Sequence, residues 1–147
     1  MRAMSQTDRP ELPVESAPGG LAVGIDIVKI SRITQSLSRF GNRFLQRIFT
    51  PHEISYAMSA PALSAERLAA RFAAKESAIK ALRLADRGIR WTDLEVWRSA
   101  AGECELRLHG AAKAVAQNNG ICAVALSLSH EDEYAVAIVI ATPSPIS

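Results

Sequence analysis

Residues 64–84 carry seven alanines and set apolar side chains at helical spacing, and soon afterwards the apolar period changes to two. That switch constrains the fold most: a long helix, closed by Gly88, is followed by strands. Residues 94–98 and 104–109 read as strands joined across Ala100-Ala101-Gly102, and residues 121–129 and 134–141 as strands joined by the turn His130-Glu131-Asp132-Glu133. Between the pairs, residues 110–118 read as a helix stopped by Asn118-Asn119-Gly120. Upstream, residues 21–28 form an apolar, β-branched run, a strand. Ile30, Ile33, Leu37 and Phe40 recur at helical spacing, and residues 44–49 continue as a short helix. Thr50-Pro51-His52-Glu53 starts another, with Thr50 as cap and Glu53 reaching back to it. The order β-α-α-α-β-β-α-β-β predicts an α+β fold, an antiparallel sheet with a long helix and shorter helices packed on it.

Residues 1–19 hold three prolines and no apolar period, and are read as a mobile arm. Residues 20–142 are the expected folded body and residues 143–147 a tail. Apolar residues make up 48 % of the 147 and charged residues 22 %, the balance of a globular chain. Seventeen basic residues against fifteen acidic ones leave +2, too little for a protein that coats nucleic acid or a membrane surface. Cys104 and Cys122 lack Cys-x-x-Cys spacing, which excludes a thiolate zinc site and points to a reducing cytoplasm. No apolar run is long enough for a membrane span, and no apolar signal core is expected at the N-terminus.

Two carboxylates stand in apolar settings. With Phe72 as origin at 100° per residue, Leu68, Ala69, Ile79 and Leu82 complete an apolar stripe, and Glu76 falls inside it at about 40°. Lys75 and Lys80 lie towards the stripe's edges. The simplest structural reading is an i,i+4 ion pair of Glu76 with Lys80. Asp26 interrupts Val23-Gly24-Ile25-Asp26-Ile27-Val28 and shares a strand face with Gly24 and Val28; as a structural residue it would cap the helix beginning near Ile30. The functional reading is a hard-metal pair, since two carboxylates from separate elements, water and a phosphate-bearing substrate are a usual setting for Mg²⁺, with a lysine balancing phosphate charge. His130 sits at a hairpin mouth. His52 reads as a first-turn helix residue and His109 as structural. Arg32 and Arg39 share a helix face, with Arg43 just beyond; such a face is either solvated or suited to an acidic protein.

Three segments carry a resemblance. They are Gly24-Ile25-Asp26-Ile27-Val28 with Ile30-Ser31-Arg32-Ile33; Arg71-Phe72-Ala73-Ala74-Lys75-Glu76-Ser77-Ala78-Ile79-Lys80-Ala81 with Trp91-Thr92-Asp93; and Leu126-Ser127-Leu128-Ser129-His130 leading to Tyr134-Ala135-Val136-Ala137. In order and spacing over residues 21–141 the chain resembles the holo-acyl-carrier-protein synthases, small bacterial 4′-phosphopantetheinyl transferases. The resemblance implies that family's fold and transfer of phosphopantetheine from coenzyme A to a serine of an apo acyl carrier protein, releasing 3′,5′-ADP, in fatty acid biosynthesis. It implies Asp26 and Glu76 as ligands of Mg²⁺, with Mn²⁺ as the alternative, and Lys80 at the phosphates. It implies coenzyme A contacts from Arg71, Lys75, Lys80 and His130, carrier-protein contacts from Arg32 and Arg39, and a homotrimer with shared active sites. Glu76 and Lys80 are the catalytic candidates, Glu76 as base. Where many relatives have a glycine-rich stretch, this chain has Arg83-Leu84-Ala85-Asp86-Arg87-Gly88. The rival from another class is a catalytically silent scaffold that binds coenzyme A or a carrier protein. A nucleic-acid module would need a basic patch with exposed aromatics, which +2 and eight aromatics do not supply.

Overall fold

Strand β1 (Ala22–Lys29) opens the structure, a computed structural model that describes residues 20–143. It leads into helices α1 (Ile30–Phe40), α2 (Asn42–Ile48) and α3 (Pro51–Met58). A single 3₁₀ turn precedes the long helix α4 (Ser64–Leu82), and another precedes the hairpin β2 (Leu94–Arg98) and β3 (Cys104–Leu108). Helix α5 (Gly110–Asn118) then connects to the hairpin β4 (Ile121–His130) and β5 (Tyr134–Pro143). The arm expected at residues 1–19 and the tail from residue 144 lie outside the described residues, and Pro143 belongs to β5.

The α+β class and the element order match the sequence reading. The strands form two sheets and not one: a three-stranded antiparallel sheet ordered β1-β5-β4, and the separate hairpin β2-β3. Helix α4 lies across the inner face of the larger sheet. His130 is the last residue of β4 and not part of the turn. The long helix stops at Leu82, well before Gly88. Arg83 takes the left-handed conformation at φ 53°, and the Leu84 amide donates to the Ile79 carbonyl at 3.0 Å. A non-glycine residue thus performs the stop the sequence reading gave to Gly88.

The apolar stripe expected on α4 is only in part its buried face. Leu68, Ala69, Ala70, Ala73, Ala74, Ala78, Ala81 and Leu82 are buried, whereas Phe72, Glu76 and Ile79 are half-buried and Lys80 is exposed. The alanines carry the burial because the helix lies very close to the sheet. A Cβ on Gly24 would collide with the carbonyl oxygen of Ser77 and sit 2.9 Å from the Ala81 amide nitrogen. Ser77 Oγ donates to the Ala137 carbonyl on β5 at 2.9 Å, fastening the contact. Larger side chains are therefore left to the opposite side, where the covering is partial.

Lys75 fixes the rotation of α4. Its ammonium is fully buried and donates to Glu53 Oε1 at 2.7 Å and to the carbonyls of Ile48, Trp91 and Leu94 at 2.8, 3.2 and 2.6 Å. Glu53 also completes the capping box of α3, accepting from the Thr50 amide at 2.8 Å, and accepts from the Val96 amide at 2.9 Å. One buried ion pair therefore ties α2, α3, α4 and β2 together. Burial lowers the Lys75 pKa from its ordinary value, and the Glu53 carboxylate opposes that shift. Removing one member leaves the other charge buried without its partner. Lys75→Met should cost about 3–5 kcal/mol of unfolding free energy in urea denaturation. A loss below about 1 kcal/mol, the scale of an exposed pair, would contradict this role.

Candidate active site

Strand alternation turns Asp26 inward with Gly24 and Val28, and the close packing through Gly24 brings it against the C-terminal half of α4. There Lys80 Nζ donates to Asp26 Oδ1 at 3.1 Å and to the Ile25 carbonyl at 2.9 Å. The i,i+4 pair of Lys80 with Glu76 is not formed, because the lysine reaches across to β1. Asp26 does not cap α1; Lys29 stands at that cap without a side-chain bond. Glu76 accepts no hydrogen bond from any described residue. Burial raises its pKa, the Asp26 charge raises it further, and Lys80 opposes both. Asp26, Glu76 and Lys80 thus form one cluster, as the sequence reading expected.

Lys75 does not join them. It is one position from Glu76, hence turned about 100° away, and its donors are spent on Glu53 and backbone carbonyls. As a coenzyme A contact it is corrected: it is a buried structural residue. The donor set around Asp26 and Glu76 suits a hard cation that takes only part of its shell from protein. Among the described residues no third acid, histidine or cysteine completes a cluster. Two carboxylates, one without a partner, leave the other positions to water and substrate phosphate, the usual manner of Mg²⁺.

Arg71 and His130 lie elsewhere. They line a cavity of about 360 Å³ on the β4 side of α4, together with Tyr56, Arg67, Arg98 and Cys104. Because β5 separates β1 from β4, this cavity and the carboxylate pair occupy opposite sides of the helix. His130 Nδ1 is 2.8 Å from Glu66 Oε2. Arg71 is buried, its Nη1 donates to the Arg67 carbonyl at 3.1 Å, and its Nε has no partner among the described residues.

Arg32 and Arg39 are exposed on α1, as a docking face requires. The structure adds what spacing did not reveal. Arg43 and Arg47 on α2 join Phe40, Phe44, Phe72 and Trp91 around a groove of about 500 Å³. Phe72 is one helical turn from Glu76, on the same side of α4. The i,i+4 repeat of Arg43 and Arg47 was the available sequence signal. Tyr56, Arg67 and Arg98 had none, because distant segments bring them together.

Over residues 22–139 the chain matches the model of the 4′-phosphopantetheinyl transferase superfamily. It is 52 % identical over 121 residues to the holo-acyl-carrier-protein synthase of Koribacter versatilis, covering 82 % of this chain and 96 % of that one. It is 41 % identical to the enzyme of that name from Solibacter usitatus, with the same coverage. Among solved structures, the ACPS–CoA complex from Chronobacterium ammoniagenes superposes with a TM-score of 0.74 at 33 % identity, over 85 % of this chain and 98 % of that one. The Helicobacter pylori holo-acyl-carrier-protein synthase in complex with coenzyme A gives 0.70 at 28 % identity, over 81 % and 98 %.

The raised pKa of Glu76 has a consequence for stability. The folded state binds that proton more tightly than the unfolded chain. The favourable contribution is complete below the ordinary value of 4.5 and lost as pH rises through the raised one. Without divalent cations, Glu76→Gln should therefore melt above the unsubstituted protein at pH 7.5, with the gap narrowing towards about pH 4. A gap that is absent, or that does not change with pH, would contradict this electrostatic reading.

Proposed function

The chain belongs to the holo-acyl-carrier-protein synthases of the 4′-phosphopantetheinyl transferase superfamily, and we propose from that premise how its residues perform the transfer. The protein moves 4′-phosphopantetheine from coenzyme A to a serine of an apo acyl carrier protein, as in fatty acid biosynthesis. The serine oxygen attacks the phosphorus that carries pantetheine. The bond to the bridging oxygen of the diphosphate breaks, 3′,5′-ADP leaves, and the serine proton is given up. The adjacency of Asp26, Glu76 and Lys80 carries this reading.

Asp26 and Glu76 would hold Mg²⁺, or Mn²⁺ in its place, and the cation would neutralise and polarise the diphosphate. Lys80, more than half exposed and already at this edge, balances charge that develops on the phosphoryl oxygens. Glu76 takes the serine proton, as the carboxylate nearest the reacting phosphate. Arg71 and His130 bind the far end of coenzyme A. The carrier docks its acidic recognition surface on Arg32, Arg39, Arg43 and Arg47, none of which has an acidic partner among the described residues. Its serine then approaches Glu76 along the groove past Phe72.

A trimer with shared sites fits two observations. The carboxylate pair and the Arg71–His130 cavity sit on opposite sides of α4, so one chain presents them in different directions. The outer face of β1 leaves Val23, Ile25 and Ile27 more than half exposed, an apolar surface suited to a second copy. Cys104 and Cys122 are both free thiols, which accords with a reducing cytoplasm.

Intact-mass spectrometry of an apo acyl carrier protein incubated with this protein, coenzyme A and Mg²⁺ tests the reading. A phosphopantetheine-sized gain is expected, abolished by EDTA and reduced at least about hundredfold in rate by Glu76→Gln. Mg²⁺ should raise the melting temperature of the unsubstituted protein and not of that variant. Coenzyme A binding with no gain on any carrier would favour the silent scaffold.

A further inference from the structure

The lysine given to the donor phosphates is engaged with the fold itself. Lys80, in the last turn of α4, donates to Asp26 Oδ1 at 3.1 Å and to the Ile25 carbonyl at 2.9 Å. Both acceptors belong to β1, an edge strand of the larger sheet. An ammonium has three N–H groups, so one remains for another acceptor. The Lys80 side chain is 53 % exposed and that of Asp26 20 %, which puts the pair at a rim where a ligand reaches the ammonium. The same positive charge acts on the second carboxylate. Burial and the Asp26 charge raise the Glu76 pKa, and Lys80 lowers it. Two carboxylates close together in partial burial repel each other, and a cation at their edge offsets part of that repulsion. One side chain thus serves both acids.

We propose that Lys80 is a resident counter-cation of the carboxylate pair: it holds Asp26 in place until a divalent ion binds, then moves to the donor phosphate, and so couples metal binding to donor binding. The inference rests on the transferase reading above and adds a step to the role Lys80 has there. The reason is charge. A divalent ion held by Asp26 and Glu76 draws on the same negative charges as the ammonium, and two cations sharing one pair of acids repel. The lysine's present bonds are exchangeable, because an ion pair this exposed is weak. A phosphate oxygen offers the ammonium a charged acceptor in their place. Metal that binds without the donor displaces Lys80 onto water. Metal that binds with a diphosphate releases it onto an anion. The two ligands therefore bind with positive coupling, carried by one side chain. Towards the metal Lys80 is a positioning residue, since it acts through Asp26.

Mn²⁺ titration followed by electron paramagnetic resonance tests this in unsubstituted protein, Lys80→Met and Glu76→Gln. Lys80→Met removes the charge and keeps most of the side-chain length. Without donor it should bind Mn²⁺ about threefold to tenfold more tightly than the unsubstituted protein. Glu76→Gln, which lacks a ligand, should bind Mn²⁺ far more weakly than either. Coenzyme A should tighten Mn²⁺ binding by about tenfold or more in the unsubstituted protein, and by a smaller factor in Lys80→Met. Melting reads the same contact without turnover. In EDTA, Lys80→Met should melt below the unsubstituted protein, and saturating Mg²⁺ should close the gap. A lysine that served the phosphate alone would leave donor-free Mn²⁺ affinity unchanged on removal. One that only oriented Asp26 for the metal would, on removal, weaken that affinity. Either result would overturn the exchange. Tighter Mn²⁺ binding by Lys80→Met, with no transfer by the unsubstituted protein to any carrier, would overturn the transferase reading and leave the exchange standing.

Discussion

The buried contact between Glu53 and Lys75 is the interaction on which the rest of the molecule depends. An ammonium without water is tolerable only when one carboxylate and several carbonyls surround it. Those acceptors come from the end of α2, the first turn of α3 and the start of β2. The helix carrying Lys75 therefore has one allowed rotation. Glu76, the next residue, is turned out of the core by that rotation and meets Asp26. A structural salt bridge and a half-buried carboxylate are neighbours in sequence because burying one orients the other.

The second constraint is thickness. Gly24 and the alanines of α4 let the helix lie almost on the backbone of β1 and β5. At that separation Lys80 reaches the carboxylate and a carbonyl of β1. The strand order then decides what one chain can and cannot offer. With β5 in the middle, the carboxylate pair belongs to the β1 edge and the Arg71–His130 cavity to the β4 edge.

Much of this was legible in the sequence. Element order, the Thr50–Glu53 capping box and the oddness of Asp26 and Glu76 followed from spacing and residue type, and the family resemblance joined them to a reaction. What failed did so for reasons of packing. Of the stripe around Phe72, Leu68, Ala69 and Leu82 are core, whereas close approach to the sheet turns the alanine face inward and leaves Phe72 to the groove. The resemblance alone gives Lys75 to coenzyme A. Its true partner, Glu53, is twenty-two positions away and invisible to local patterning. The end of α4 at Arg83 was missed because an arginine seldom adopts the left-handed conformation assigned to Gly88. Tyr56 and Arg98 could not be paired without the fold.

We propose that α4 separates two half-sites which neighbouring copies reunite. Co-expression of Glu76→Gln chains with His130→Ala chains tests it most directly, with native mass spectrometry verifying that mixed assemblies form. Each variant alone should be nearly inactive. Random mixing should restore about a quarter of the unsubstituted rate, because that share of the interfaces joins an intact carboxylate half to an intact cavity half. Mixed assemblies no more active than either parent would contradict the account.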